Sequence, residues 1–415
     1  MKKLSLLLGT SLFFATASVS AAAIMDVIPS SSNPIAISSN SQTYLTYSVK
    51  NNTRQTLSAL SIDPAYGNAN NILVPFLSSN YCTAIAPGAS CNFIVAIQAP
   101  AQNAAITLTP RVCAYNGTAC SIPVSANRVS VIASSNVPGS TFPTPYAGTF
   151  YPIYFAGVGQ WIEPDINMPF ERVSAIFIAF AHTYPAGLGA IFTYEAGQPD
   201  QPGRIARLLH VARSVNPGIK LLISLGWDKN DWTYINNDYV NHANLFVPSV
   251  IQFIRDNHLD GLDIDDEGIG GSTGFISQEN FDGVIANLRN ALNYAALQDG
   301  KPYYLTISPA GNNSVFGGLQ DTQVDRQNAN SFDLINIQTY YNGDPDFGEN
   351  FFDSLIMIGY PATRIANGID TENCTPVIPP YAGTAGLFNW NMSADSACSN
   401  FQYTIQIADL VGYNG

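Results

Sequence analysis

The chain has 415 residues and a formal net charge of −13, from 30 Asp and Glu against 17 Lys and Arg. So acidic a protein is repelled by nucleic acid and by anionic membrane surfaces, which makes both poor partners and leaves neutral polymers open. Its length exceeds one average domain and points to two.

Residues 1–23 read as a secretory signal peptide. Lys2 and Lys3 precede an apolar core too short for a membrane span, and Val19-Ser20-Ala21 offers a small-x-small cleavage site. No later run is long and apolar enough to cross a bilayer. The mature protein is therefore expected to be secreted, an extracellular protein that passes through a periplasm if its source has one. Six cysteines fall into three close pairs, Cys82 with Cys91, Cys113 with Cys120 and Cys374 with Cys398, which suits an oxidising compartment. Spacing alone leaves other connectivities open, and local pairing is the simplest. No pair has Cys-x-x-Cys spacing beside a histidine, and His182, His210, His242 and His258 are scattered. Neither a metal nor a cofactor is expected. A monomer is the working expectation.

Residues 24–134 are strand and turn throughout. Thr43-Tyr44-Leu45-Thr46-Tyr47-Ser48-Val49 alternates into the turn signal Asn51-Asn52, and Asn92-Phe93-Ile94-Val95-Ala96-Ile97 follows Ala86-Pro87-Gly88-Ala89-Ser90-Cys91. Residues 105–109 and 128–132 add further short runs. This rhythm predicts a small β-sandwich of immunoglobulin-like type. The region contains no tryptophan, so a spacer or stability module is favoured over a sugar-binding one. Residues 135–148, rich in Pro, Gly and Ser, read as a linker.

Over residues 149–415 the pattern becomes apolar strand, loop, helix, repeated. Strands are predicted at 151–156, 175–181, 220–225, 261–265, 303–308, 333–339, 365–369 and 386–390. Helical spacing covers 245–257, 281–297, 351–358 and 396–410. Eight buried strands alternating with helices predict an α/β TIM barrel. The competing doubly wound sheet would want a Gly-rich phosphate loop after its first strand, and Ala156-Gly157-Val158-Gly159-Gln160-Trp161 lacks the third glycine.

One stretch concentrates the chemistry. In Asp260-Gly261-Leu262-Asp263-Ile264-Asp265-Asp266-Glu267, acids at Asp263, Asp265 and Glu267 share one face of a strand. Three like charges on one face cost stability. An enzyme that needs a protonated acid beside an ionised one has a use for them, whereas a calcium loop would be spaced differently. Barrel enzymes work at the C-terminal ends of their strands. Those ends also carry Phe180, Ser224, Trp227, Gln338, Tyr340 and Trp390, a set suited to sugar rings. No Gly-x-Ser-x-Gly elbow supports a serine hydrolase.

The octapeptide resembles the D-G-x-D-x-D-x-E signature of glycoside hydrolase family 18, the chitinases and endo-β-N-acetylglucosaminidases, at every specified position. Ser224-Leu225-Gly226-Trp227 resembles the family's S-x-G-G element, with Trp227 in place of the last glycine. Gln338-Thr339-Tyr340 resembles the element that carries its catalytic Tyr, and Trp390 the last-strand Trp beneath the scissile sugar. The likeness covers most of residues 149–415 and none of the N-terminal region.

The resemblance implies a secreted chitinase, endo-acting on N-acetylglucosamine polymers by substrate-assisted retaining catalysis. Glu267 would be the general acid. Asp265 would hold the acetamido group, Asp263 would share a proton with Asp265, and Tyr340 would fix the attack angle. Trp390, Gln338, Phe180, Ser224 and Trp227 would contact substrate. Asp260 reads as structural, and Asp266, of opposite parity, as a loop or supporting residue. The family often has a hydrophobic residue where Asp266 stands, and Asp-Asp-Glu is similar to some endo-β-N-acetylglucosaminidases, so N-glycan cores are the alternative substrate. A catalytically inactive lectin is the alternative of another class. The few residues between 369 and 386 leave no room for a groove-deepening insertion, which implies a shallow, open cleft.

Overall fold

A computed structural model describes residues 23–30, 33–67, 74–80, 82–100, 102–137, 141–153, 161–193, 201–267, 275–310, 322–340, 345–374, 377 and 379–415. The signal peptide read at residues 1–23, apart from Ala23, lies outside them.

The N-terminal region is all β. One antiparallel sheet takes Met25–Pro29, Gln42–Asn51, Ser90–Gln98 and Val74–Asn80 in that order, and a mixed sheet takes Ile35–Ser38, Val129–Ser134 and Ala104–Leu108, the first two parallel. Alternate residues of both sheets, among them Leu45, Tyr47, Phe93 and Val95 with Ile35, Ile106 and Val131, meet in one apolar core. Tyr47 stacks on Phe93 with ring centroids 5.3 Å apart. Cys82–Cys91 and Cys113–Cys120 are disulfides, as local pairing had it, and so is Cys374–Cys398 further on.

The rest of the chain closes eight parallel strands into a barrel: β1 (Tyr146–Pro152), β2 (Ala175–Ala186), β3 (Lys220–Leu225), β4 (Gly261–Asp266), β5 (Tyr304–Pro309), β6 (Leu334–Ile337), β7 (Ile365–Ile369) and β8 (Gly386–Asn389). Each pairs with the next, and β1 also pairs with β8, which leaves no open edge. The strands are buried on both faces, so they read as near-continuous apolar runs. Parity separates the faces. Phe150, Phe177, Leu222, Tyr304, Leu334 and Phe388 fill the interior. Ile176, Ile223, Leu262, Ile264, Ile307 and Ile335 pack outward in the larger apolar cluster that also takes in helix residues.

Helices α1 (Gln201–Val215), α2 (Lys229–Val240), α3 (Phe246–Asp256), α4 (Gln278–Asp299), α5 (Pro345–Met357), α6 (Met392–Ser399) and α7 (Gln402–Val411) surround the strands. Ser277 caps α4 by accepting from Asn280 N–H, and Gly300 ends it in the left-handed conformation.

Three expectations need correction. The first barrel strand starts at Tyr146, inside the stretch read as linker, because Tyr146 is fully buried despite the turn-forming prolines before it. The helix expected over 396–410 is two helices, since Asn400 and Phe401 both take positive φ and break it. Helices α1 and α2 were not expected.

The β region packs on the barrel region. It lies against α4, where Thr43 Oγ1 donates to Asn290 Oδ1 at 2.8 Å and Asn287 Nδ2 donates to the Ser30 carbonyl. Ser30 Oγ also meets His242 Nδ1 at 3.2 Å.

Candidate active site

Register builds the site. Asp263 of β4 lies between Ser224 of β3 and Thr306 of β5, and Asp265 lies beside Ser308. Asp263 and Asp265 point into the barrel, as the alternation from Gly261 requires. Gly226 ends β3 at φ +123°, where a Cβ would sit 2.5 Å from the Asp265 carbonyl oxygen, so only glycine lets β3 approach β4 this closely.

Asp263 is fully buried and ringed by hydroxyl donors. Thr306 Oγ1 donates to Oδ1 at 2.6 Å, Ser224 Oγ donates to Oδ2 at 2.8 Å, and Ser308 Oγ lies 3.1 and 3.2 Å from the two oxygens. Burial pushes its carboxyl up to about 6 while these donors pull it back down. Asn336 Nδ2 orients Ser308 at 3.2 Å.

Asp265, also fully buried, has its carboxyl raised well above the ordinary range, first by burial and then by the charges of Glu267 and Asp263; only Gln338 opposes this. Gln338 Nε2 donates to Asp265 Oδ1 at 2.6 Å and to the Ser308 carbonyl at 2.7 Å, and the Tyr340 hydroxyl reaches Gln338 Oε1 at 3.4 Å. Asp265 Oδ2 makes no hydrogen bond to any described residue. Glu267 follows β4 and is 8% exposed. The strand end thus carries three carboxyl groups, and the buried Oδ2 of Asp265 accepts no hydrogen bond from a described residue.

Aromatic rings line the other side. Trp390 lies after β8 against Phe150 and Phe180, with centroids 5.2 and 6.0 Å away, and Phe180 stacks on Trp227 at 6.2 Å. Trp390 Nε1 donates to Glu372 Oε1 at 2.7 Å, and Asn391 Nδ2 donates to the same oxygen at 3.1 Å.

All nine residues singled out in the sequence collect at this end of the barrel, with Ser224 and Gln338 hydrogen-bonded to Asp263 and Asp265. Ser224 and Gln338 are fully buried, and the negative charge of the carboxylates draws their donors inward. Asp266 turns outward and accepts from Gln323 N–H at 2.8 Å and Thr322 Oγ1 at 3.3 Å. Asp260 accepts from Arg213 and from Leu221 N–H, in keeping with a structural role. Thr306, Ser308, Asn336 and Glu372 escaped notice in the sequence, because only strand register brings them here.

The family model described as "Glycosyl hydrolases family 18" matches residues 152–404, more than half of the chain. The chain belongs to glycoside hydrolase family 18. It is 30% identical to Chitinase A1 of Niallia circulans over 165 residues, 36% of this chain and 22% of that one. It is 28% identical to Chitotriosidase-1 of Mus musculus over 141 residues, 32% of this chain and 29% of that one. The matched stretch therefore spans less than a third of each of these relatives' length. Among solved structures, the class V chitinase of Nicotiana tobaccum superposes at TM-score 0.50 with 15% identity, over 65% of this chain and 99% of that one. The chitinase-like agglutinin of Robinia pseudoacacia superposes at TM-score 0.51 with 16% identity, over 64% and 99%. These two likenesses concern the barrel fold.

Proposed function

We propose that this chain is a secreted, endo-acting chitinase that cleaves β-1,4 linkages in N-acetylglucosamine polymers by substrate-assisted catalysis with retention. The observation that carries the reading is the state of Asp265: buried, raised, held through Oδ1 by Gln338, and with Oδ2 accepting from no described residue. An acetamido N–H would satisfy that oxygen. The sugar's own carbonyl oxygen is then aimed at the anomeric carbon.

As that oxygen bonds to the anomeric carbon, the glycosidic C–O bond breaks and Glu267 gives its proton to the leaving oxygen. The product is an oxazolinium ion, whose positive charge Asp265 stabilises. Asp263 and Asp265 hold one negative charge between them, so no second full charge is buried. Tyr340 directs its hydroxyl at the acetamido oxygen. Glu267, now ionised, takes a proton from water as that water opens the oxazolinium from the face the leaving group left. Two inversions give net retention.

Trp390, Phe180 and Trp227 supply apolar surface for sugar rings. The residues described between β7 and β8 form no helix or strand, which favours an open cleft and internal cutting. The relatives bear chitinase names, and the three disulfides suit an oxidising exterior. We read residues 24–134 as a β-sandwich module of immunoglobulin-like type and residues 149–415 as the hydrolytic unit. N-glycan cores are the alternative substrate, on the likeness of Asp265-Asp266-Glu267 to some endo-β-N-acetylglucosaminidases. The test is side-by-side assay on chitin oligomers and a high-mannose glycoprotein. Shortened chitin oligomers of mixed length support the reading. Glycan release alone would make the enzyme an endo-β-N-acetylglucosaminidase, and binding without turnover a lectin.

A further inference from the structure

A cavity of about 510 Å³ opens between the N-terminal β region and the barrel. The start of strand Gln42–Asn51 forms one wall, and α4 with the segments leading into β6 and β7 forms the other. It lies away from the hydrolytic cleft. Asp333 and Arg364 stand just before β6 and β7, at the N-terminal ends of those strands, whereas Asp265 and Glu267 lie at the opposite end of β4.

Its charge runs against that of the molecule. In a chain with 17 basic residues and 30 acidic ones, Arg289, Arg326 and Arg364 all line this one space. Arg289 is matched by Asp333, 2.8 Å away. Arg326 and Arg364 form no ion pair with a described residue. The remaining acid, Asp282, has its carboxyl pushed up to about 7 by burial and accepts from Gln278 and Asn328, so it offsets little positive charge below neutral pH. The other walls offer hydrogen bonds and one ring. Asn293 and Asn330 contribute carboxamides, and half-buried Tyr44 is held by Gln42 Nε2 at 2.6 Å.

We propose that this crevice is a second saccharide site, distinct from the hydrolytic cleft, that takes a carboxylate-bearing sugar unit. The guanidinium groups of Arg326 and Arg364 match a carboxylate in charge and in donor geometry. The Tyr44 ring offers a surface for the apolar face of a pyranose, and the carboxamides suit its hydroxyls. The volume lies within the range of small-molecule sites. Because both the β region and the barrel build it, the site gives the docked module a purpose: holding an acidic glycan while the cleft works on another chain.

Titration calorimetry on the full chain tests this with three probes: oligoglucuronate, a neutral cello-oligosaccharide of equal length, and inorganic phosphate. Oligoglucuronate should bind, should weaken as salt rises, and should bind about tenfold more weakly to Arg326→Gln/Arg364→Gln. Tyr44→Ala should weaken oligoglucuronate too, while phosphate stays weak throughout. Melting temperature and chitin-oligomer turnover should not change in these variants, because the substituted side chains lie on the crevice walls. Equal binding of the neutral oligosaccharide would overturn the role of charge, and phosphate binding as tight as oligoglucuronate would overturn the sugar. Absence of oligoglucuronate binding, or binding indifferent to the arginine substitutions, would overturn the site itself.

Discussion

Gln338 directs both N–H bonds of its carboxamide, one to Asp265 Oδ1 at 2.6 Å and the other to the Ser308 carbonyl at 2.7 Å. The second bond anchors the amide to β5 and thereby fixes the plane of the Asp265 carboxyl. Gln338→Leu should lower kcat on chitin oligomers by about ten- to a hundredfold with a much smaller change in KM, as loss of an orienting contact does. Steady-state kinetics beside a thermal melt check this. A rise in KM alone would show that Gln338 binds substrate instead of aligning Asp265.

The hydroxyls of Thr306, Ser224 and Ser308 are what hold the Asp263 carboxyl down to about 6 against the pull of burial. If catalysis needs one negative charge on the Asp263–Asp265 pair, the acid limb of the kcat/KM profile follows ionisation of that pair. Thr306→Val removes a donor at 2.6 Å, so ionisation, and the acid limb with it, should move to higher pH. A limb that stays in place would separate Asp263 from the chemistry.

Glu372 holds Trp390 by its indole N–H, in a loop tied to α6 by Cys374–Cys398 and to Asn391 through a bond from Thr371 Oγ1 of 2.9 Å. Glu372→Ala leaves the indole donor without that acceptor, and KM should rise several-fold as the aromatic floor loosens. Glu372→Gln keeps an acceptor oxygen and should recover most of the loss. Tryptophan fluorescence should report the same order of the three proteins. Equal damage from both substitutions would point to the charge of Glu372 instead.

Asp282 sets a pH-dependent cost on the folded state. Its carboxyl titrates near 7 when folded, against 3.8 for an unperturbed group, because burial disfavours the charged form. A raised acid stabilises fully below its unfolded pKa, and that contribution is lost as pH rises toward its folded one. The melting temperature of Asp282→Asn relative to wild type should therefore climb between pH 4 and pH 8, then level off. The full span is on the order of a few kcal/mol. A difference that is flat with pH would remove Asp282 as the cause.

Much of this was legible because barrel strands are long apolar runs and because Gly261 to Glu267 alternates cleanly. Asp263 and Asp265 face inward and Leu262, Ile264 and Asp266 outward, as parity requires. What escaped notice has physical reasons. Tyr146 follows a Pro-rich stretch whose turn chemistry hid a buried strand. Helix α2 buries Asp231 and Asp238 beside its apolar residues, which blurs its stripe. In α1, by contrast, Ile205, Leu208 and Ala212 are buried and stand at helical spacing, a stripe that is legible in the sequence. Thr306, Ser308 and Glu372 serve residues distant in sequence, and no local pattern marks such partners.

The most direct test of the central claim is turnover of N-acetylated chitin oligomers and of their fully deacetylated counterparts by wild type and Glu267→Gln. Wild type should cleave the acetylated oligomers alone, since the substrate must supply the nucleophile. Glu267→Gln should lose on the order of a thousandfold or more in kcat while still binding them. Cleavage of the deacetylated oligomers at a comparable rate, or a Glu267→Gln variant as active as wild type, would contradict the account.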